Sequence, residues 1–451
     1  MNRQKQLRQM GLFDARVPRY TSYPPATKFS DAVGPNQFTQ WIRDIPKGAQ
    51  ISAYVHVPFC RKLCWFCACR TQGVRSDEPV RAYLASLKQE IALLRSILPD
   101  GVTLSRLHWG GGTPTLISAR MIRDLAGEIQ SVLPLAKDAE FSIEIDPNEI
   151  DDARLDALAM AGMNRASIGV QDFHPDIQQI IGRIQSYEVT RDTVTALRDR
   201  GIKSLNTDIL FGLPDQTPSR ISQSVQMLLS LAPDRVSLYG YAHVPWMARR
   251  QSLIPTDALP TPEERLALFE AAQVLFKRDG YQEIGIDHFA KPDEGLAQAA
   301  RTGHLRRNFQ GYTDDTCDVL LGLGASSISR FPQGYAQNAS ATSAYQKAVR
   351  AGDFATVRGH AFTSDDRLRG RMIEALMCDF RINTAELVDQ YGADPTQIAQ
   401  IYQTALAAFP GMVAKTGDGF EILPQGRPLT RMVARSMDPY ESAALGHSPA
   451  F

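Results

Sequence analysis

The chain has 451 residues, 43% of them hydrophobic and 22% charged, a globular composition that excludes a disordered or collagen-like polymer. Its 49 basic and 49 acidic side chains cancel, so no global field draws it to nucleic acid or to an anionic membrane. Six cysteines are too few for a disulfide scaffold, and four of them (Cys60, Cys64, Cys67 and Cys69) fall within ten residues. The first twenty residues are polar and basic, without the apolar core of a secretion signal. No run reaches the ~18 apolar residues of a membrane span. The expected setting is the cytoplasm, where clustered thiols serve metals or chemistry more often than disulfides.

In chain order, residues 1–50 read as an N-terminal arm, with Pro18–Pro25 (PRYTSYPP) proline-rich and extended. Short β-rich runs then alternate with helical periodicity. The expected strands are Ser52–Val57, Ser105–Trp109, Glu140–Ile145, Arg165–Val170, Ser204–Leu210 and Val236–Tyr241, with a seventh at Glu283–Ile286. The expected helices between them are Val80–Leu98, Ala119–Leu133, Arg154–Ala161, Thr190–Asp199 and Arg220–Leu231. This alternation implies an α/β fold with a parallel sheet and right-handed crossovers, and six or seven units imply a barrel or partial barrel over residues 51–363. From Ser364 the pattern turns mostly helical. Residues 364–451 read as a smaller C-terminal domain with three amphipathic helices, a hairpin turning near Gly417 and Gly419, and a last helix in RPLTRMVARSM.

Polar residues or glycines stand at the C-terminal end of nearly every expected strand: Cys60, Gly110–Gly112, Glu144 and Asp146, Gln171 and Asp172, Asp208, and Tyr241–His243. In parallel β/α proteins the active site gathers at that edge. A single such end is explained by turn glycines and helix caps; six ends point to a site.

The cysteines have the spacing C-x3-C-x2-C-x-C within HVPFCRKLCWFCACR. Three thiols on one loop converge on one metal centre, and thiolates suit zinc or iron–sulfur clusters. Structural zinc takes four ligands, and the one nearby histidine, His56, lies on the incoming strand. C-x3-C-x2-C instead leaves one iron of a four-iron cluster open to a substrate or cofactor.

With these cysteines, the stretches PRYTSYP, LHWGGGTPT, IEIDPNEI, IGVQDF, NTDILFGLP and LRRNFQGYT make the chain similar to the radical S-adenosylmethionine superfamily. Within it, the chain resembles the oxygen-independent coproporphyrinogen III oxidases, from about Pro18 to Asn338 in strong motifs and more loosely beyond. The resemblance implies a partial (three-quarter) β/α barrel. It implies a [4Fe–4S] cluster on Cys60, Cys64 and Cys67, with Cys69 as an extra, non-ligating cysteine beside the cofactors. It implies two molecules of S-adenosylmethionine. Tyr54, Phe66, Gly111, Gly112, Thr113, Ala242 and Ile328 would lie around the first, and Glu144, Gln171, Arg183 and Asp208 around the second. The implied reaction starts from an external low-potential electron donor and a 5′-deoxyadenosyl radical. Two propionates of coproporphyrinogen III become vinyl groups, giving protoporphyrinogen IX, in a monomeric enzyme without membrane or nucleic-acid partners.

Trp65 and Ala68 stand in the cysteine loop where close relatives often carry another aromatic and a glycine. Arg249, Arg250, Arg306 and Arg307 are candidates for the substrate carboxylates, while His56 and His243 read as core histidines. Gly322–Ser326 (GLGAS) lacks the third glycine and the strand–helix context of a dinucleotide loop. A haem-binding trafficking protein on the same scaffold is the main alternative. Such relatives generally lack the fourth cysteine and the PRYTSYP arm, so Cys69 and Pro18–Pro24 argue against it. A haem-opening methyltransferase and a structural zinc protein are further alternatives.

Overall fold

A computed structural model describes residues 3–440 and residue 450. Six parallel strands form its centre: β1 (Gln50–Val57), β2 (Thr103–Gly111), β3 (Leu135–Ile145), β4 (Arg165–Gln171), β5 (Ser204–Phe211) and β6 (Arg235–Gly240). Each expected strand is present, most of them longer by one to three residues at an end. Helices Glu78–Arg95, Ala119–Val132, Asp152–Met160, Tyr187–Asp199 and Pro218–Ser230 connect them. Ser118, Asp151, Ser186 and Thr217 cap four of these helices through side-chain oxygens that accept backbone N–H groups of the first turn.

The strands alternate sharply. Ile51, Ala53, Val55 and Val57 of β1, Phe141, Ile143 and Ile145 of β3, and Ala166, Ile168 and Val170 of β4 are buried in the core shared with the helices. Their neighbours Ser52, Glu140, Ser142, Glu144, Arg165 and Ser167 line a polar space inside the sheet. Side chains of a strand point to opposite faces in turn, so one residue of slip would exchange these two sets and bury the charges in the apolar layer.

The sheet has twelve strands and stays open. Beside β1, Leu320–Leu323 adds in parallel, followed by Ile328–Phe331, Gly334–Asn338 and Thr356–Ala361 in antiparallel order. Beyond β6 come His288–Ala290 and Gln282–Ile284, both antiparallel. The seventh strand therefore exists as Gln282–Ile284, but as the outer strand of a hairpin rather than a further β/α unit. Leu320–Leu323 turns straight back into Ile328–Phe331, and Ser326 in the turn has φ +63. No helix follows it, as the rejection of a dinucleotide loop requires.

A second apolar cluster joins Leu7, Leu12, Phe13, Val17, Tyr20 and Tyr23 to Leu368, Leu376, Tyr402, Phe420 and Val433. The early arm thus packs on helices Ser364–Asp379, Pro395–Ala408 and Thr430–Ser436, whereas Phe38, Trp41 and Ile42 of helix Pro35–Arg43 belong to the barrel core. The hairpin is Val413–Thr416 with Gly419–Ile422, widened by a third strand, Arg381–Asn383. RPLTRMVARSM divides into 3-10 turns over Pro424–Leu429, which contain Pro428, and the helix Thr430–Ser436. Residues 441–449 and 451 of the C-terminal stretch lie outside the described residues. Among the described residues no helix is long and apolar enough to cross a membrane.

Candidate active site

Six free thiols are present, and four of them follow β1 in one loop. Several anchors hold that loop. The amides of Gln72 and Val74 donate to the carbonyls of Pro58 and Cys60 (2.8 and 3.0 Å). The Trp65 amide donates to the Ile181 carbonyl (2.9 Å), and its indole lies so close to Gly182 that a Cβ there would approach the ring to 2.8 Å. Arg250 Nη2 donates to the Thr71 carbonyl (3.3 Å) and hydroxyl (3.1 Å). Gln251, fully buried, donates through Nε2 to the carbonyls of Phe66 (2.6 Å) and Ala242 (3.0 Å), while its Oε1 accepts from the Val244 amide (2.6 Å). The loop after β6 is thereby tied to the cysteine loop.

The thiols have distinct surroundings. Burial raises Cys60 to about 11, against a hydrogen bond from Thr113. Burial also raises Cys64, although Arg183 Nη1 donates to its Sγ (3.6 Å). Cys67 is lowered by its hydrogen bonds from Cys69, whose amide donates to Cys67 Sγ at 3.4 Å. Arg183 also meets Asp146 (3.3 Å) and the Gly169 carbonyl (2.9 Å); burial opposes its charge, and Asp146 and Cys64 outweigh that. Among the described residues no three His, Cys, Asp or Glu side chains are grouped as ligands of a single metal ion.

A three-thiol loop with a guanidinium beside one sulfur and a hydroxyl beside another fits an anionic thiolate-bound cluster, because both groups donate hydrogen bonds to sulfur. The glycine turn after β2 sharpens the fit differently than expected. Cβ atoms on Gly111 and Gly112 would collide at 2.4 Å with the His56 ring and the Phe59 carbonyl, and Gly111 has φ +113. What the missing Cβ atoms admit is the protein itself, closing the turn against the cysteine loop. The amides of Gly112 and Thr113 donate to Val57 and Phe59 carbonyls, and that of Gly111 to Glu144 Oε2 (2.9 Å).

A cavity of about 840 Å³ opens at the C-terminal edge of the strands. Phe66, Cys67, Cys69, Gln171 and Asp208 line it, with Tyr239 and Tyr241 of the β6 end. Gln171 adopts φ +71 at the end of β4. Asp208 also borders a smaller polar space of about 230 Å³ below, shared with Glu144 and His108. Burial raises the Asp208 carboxyl. Burial also works on Glu144, but His108 (3.5 Å) and the Gly111 amide hold it low. Tyr54 stacks on His108 at 5.7 Å and donates to His56 Nδ1 (3.0 Å), while burial pushes its own hydroxyl far up.

Tyr54, Cys60, Cys64, Gly111, Gly112, Thr113, Arg183, Ala242 and Ile328 do not line the large cavity. They stand around the loop and turns behind it, with Ile328 backed against Gly322. His56 and His243 are engaged locally, with Tyr54 and Arg70 and with Tyr241 and Thr256 respectively. Of the four candidate arginines only Arg307 reaches the cavity; Arg306 pairs with Glu374 and Arg250 serves the cysteine loop. Gln251, Arg265 and Asp287 escaped the sequence reading. Gln251 sits in a stretch, MARRQSL, with no strand or helix period to mark it. Asp287 and His288 form a D-H pair that could have been singled out beside the seventh strand.

The model of the radical SAM superfamily matches residues 54–228, from within β1 to within the helix that follows β5. The solved coproporphyrinogen III oxidase of Escherichia coli, described as a radical SAM enzyme, superposes with a TM-score of 0.89 at 37% identity, covering 95% of this chain and 100% of that one. The scaffold is that of a radical SAM enzyme. The oxygen-independent coproporphyrinogen III oxidase of Paracoccus denitrificans is 64% identical over 450 residues, covering 100% of each chain. Its counterpart in Escherichia coli K12 is 39% identical over 94% of this chain and 93% of its own length. This chain belongs to the oxygen-independent coproporphyrinogen III oxidase family.

Proposed function

We infer that this chain is an oxidoreductase that decarboxylates two propionates of coproporphyrinogen III to vinyl groups, giving protoporphyrinogen IX in haem biosynthesis. It uses a [4Fe–4S] cluster and S-adenosylmethionine. The observation that carries the reading is the convergence of Cys67, Cys69 and the strand-end residues Gln171 and Asp208 on one cavity, in a chain 64% identical to a named coproporphyrinogen III oxidase over its whole length.

Cys60, Cys64 and Cys67 are proposed to hold the cluster, which together with S-adenosylmethionine supplies a carbon radical able to remove hydrogen from an unactivated position. The chain's own residues do the rest. Arg183 and Thr113 donate to thiolate sulfur and steady the ligands. Tyr54, Phe66, Gly111, Gly112, Thr113, Ala242 and Ile328 are proposed to shape the place of the first S-adenosylmethionine. Glu144, Gln171, Arg183 and Asp208 are proposed for the second, where carboxylates suit ammonium and sulfonium and the guanidinium suits a carboxylate. The apolar walls from Phe66, Leu210, Phe211 and Phe269 exclude water from the reacting centre. Residues 51–363 are proposed as the catalytic unit, with the arm of residues 1–50 and the C-terminal 364–451 closing its side. Arg19 and Thr21 of the arm already line the cavity.

The proposed setting is cytoplasmic, supported by six unpaired thiols, with an external low-potential electron donor and, by family resemblance, a monomeric state. The test is anaerobic turnover with reductant, S-adenosylmethionine and coproporphyrinogen III. Protoporphyrinogen, CO2 and 5′-deoxyadenosine are expected. Stable haem binding without decarboxylation would replace the reading with a haem carrier.

A further inference from the structure

We propose that Arg307 anchors a propionate carboxylate of the porphyrinogen at the wall of the large cavity; this rests on the substrate class inferred above. Arg307 lies in the short strand Arg306–Asn308, paired with Gly311–Thr313. Its amide donates to Glu374 Oε1 (3.0 Å), and its guanidinium lies 4.6 Å from the Tyr312 ring centroid. The backbone and the ring thus fix the position of the charge. Yet among the described residues none accepts a hydrogen bond from Nε or Nη1, although both atoms are sealed from solvent. Buried N–H groups without acceptors are costly, and two on one guanidinium call for a partner.

The surrounding charge points the same way. Arg19, Arg265 and Arg431 line the same cavity. Burial depresses Arg19 and Arg431, and the charge of Arg307 depresses both further. The Asp287 carboxylate stands among Arg19, Arg307 and Arg431, and it is already bonded to His288 Nδ1 (2.7 Å). With Asp287 already engaged, the two Arg307 N–H groups without acceptors are a donor pair that a carboxylate would complete. The volume, about 840 Å³, lies within the ~300–1,000 Å³ range of small-molecule sites. With Cys67, Cys69 and Arg307 lining one cavity, a substrate carrying several carboxylates can be held at its rim while one propionate is presented to the cofactors.

The test uses the cluster-loaded enzyme and two variants, Arg307→Gln and Arg307→Lys. Binding is read by fluorescence titration with coproporphyrin III, the stable oxidised form with four carboxylates, and with protoporphyrin IX, which has two. Turnover is read in parallel with coproporphyrinogen III. Arg307→Gln is expected to weaken coproporphyrin binding and raise KM by about ten- to a hundredfold, with the larger loss in KM rather than in kcat. Its preference for four carboxylates over two should shrink by a similar factor. Arg307→Lys should recover part of the loss, which a merely structural role would not give. Unchanged binding and KM in a folded Arg307→Gln would overturn the anchor while leaving the decarboxylase reading intact. If the wild type binds coproporphyrin but makes no protoporphyrinogen, the reading of the reaction fails and the anchor is judged on binding alone. Wild-type enzyme that fails to bind the tetracarboxylate at all overturns both.

Discussion

Two groups of arginines occupy the interior spaces of the molecule, and they are treated in opposite ways. In the lower part of the barrel interior, Arg106 meets Glu140 and Asp314 at 3.0 Å each, Arg165 meets Glu140 at 3.2 Å, and Arg235 bonds Glu294. Every guanidinium there has a carboxylate. At the cavity above, among the described residues Arg307 bonds no carboxylate, although Asp287 is near it, and Arg19, Arg265 and Arg431 line the same space. The lower group is paired with carboxylates by folding, so its charges hold strands together. In the upper group Arg307 keeps two N–H groups without an acceptor, and completion there falls to a ligand. The lesson is that the pairing of a buried arginine, rather than its burial, separates structural charge from working charge.

That contrast yields graded expectations. The largest effect belongs to the working region. Cys64→Ser should bind no iron–sulfur cluster and lose turnover to background, measured as iron and sulfide content and as vinyl product. Next comes Glu140→Gln in the paired region, which leaves Arg106 and Arg165 facing each other. It should lower unfolding free energy by on the order of 3 kcal/mol in denaturant titrations at neutral pH. Its pH signature is specific. Burial would raise the Glu140 carboxyl, but Arg165 and Arg106 hold it down at about 2, below its ordinary value of 4.5. A depressed carboxyl gives its full stability above the ordinary value and loses it as pH falls toward the folded one. The wild type should therefore lose stability between about pH 4.5 and 2 by a component missing from Glu140→Gln. A flat difference across that window would put the pairing in doubt.

A smaller effect is expected at Gln251, which joins the two regions' logic by being fully paired yet at the site. Gln251→Leu leaves the carbonyls of Phe66 and Ala242 without a donor, at about 1–3 kcal/mol. Slower turnover with near-normal iron content is expected, because the cysteines remain. The mildest is Cys69→Ser. Iron content should stay at the wild-type level and turnover should fall by roughly the tenfold that ~1.4 kcal/mol of transition-state stabilisation represents. If Cys69→Ser loses the cluster, the division of the four cysteines into three ligands and one neighbour is wrong.

Much of this was legible because β1 to β6 carry strong alternation and well-marked helix caps. The parallel barrel, its working edge and the cysteine loop follow from spacing alone. The extension beyond the barrel was not legible. Leu320–Leu323 is a short buried run with a glycine inside, and Ile328–Phe331 and Gly334–Asn338 have too few residues for a period to show. Arg381–Asn383 hid in the approach to a helix whose cap, Asn383, it also supplies. In the site, residue types were readable but roles were not. Gly111 and Gly112 looked like a ligand cradle, and only the positions of His56 and Phe59 show what their bare backbone accommodates. Gln251 acts through two carbonyls distant in sequence, a relation that only the folded chain creates.

The shared core of the arm and the C-terminal helices has a consequence for biosynthesis. Leu7, Leu12 and Phe13 share their apolar cluster with Leu266 and, for the most part, with residues from Leu368 onward, so on the ribosome that cluster is complete only when almost the whole chain is made. Contacts of such separation form late and slowly. The barrel can assemble first and the cysteine loop can be loaded through a side still open. The wall bearing Arg19 is thus the part of the cavity whose support is finished last.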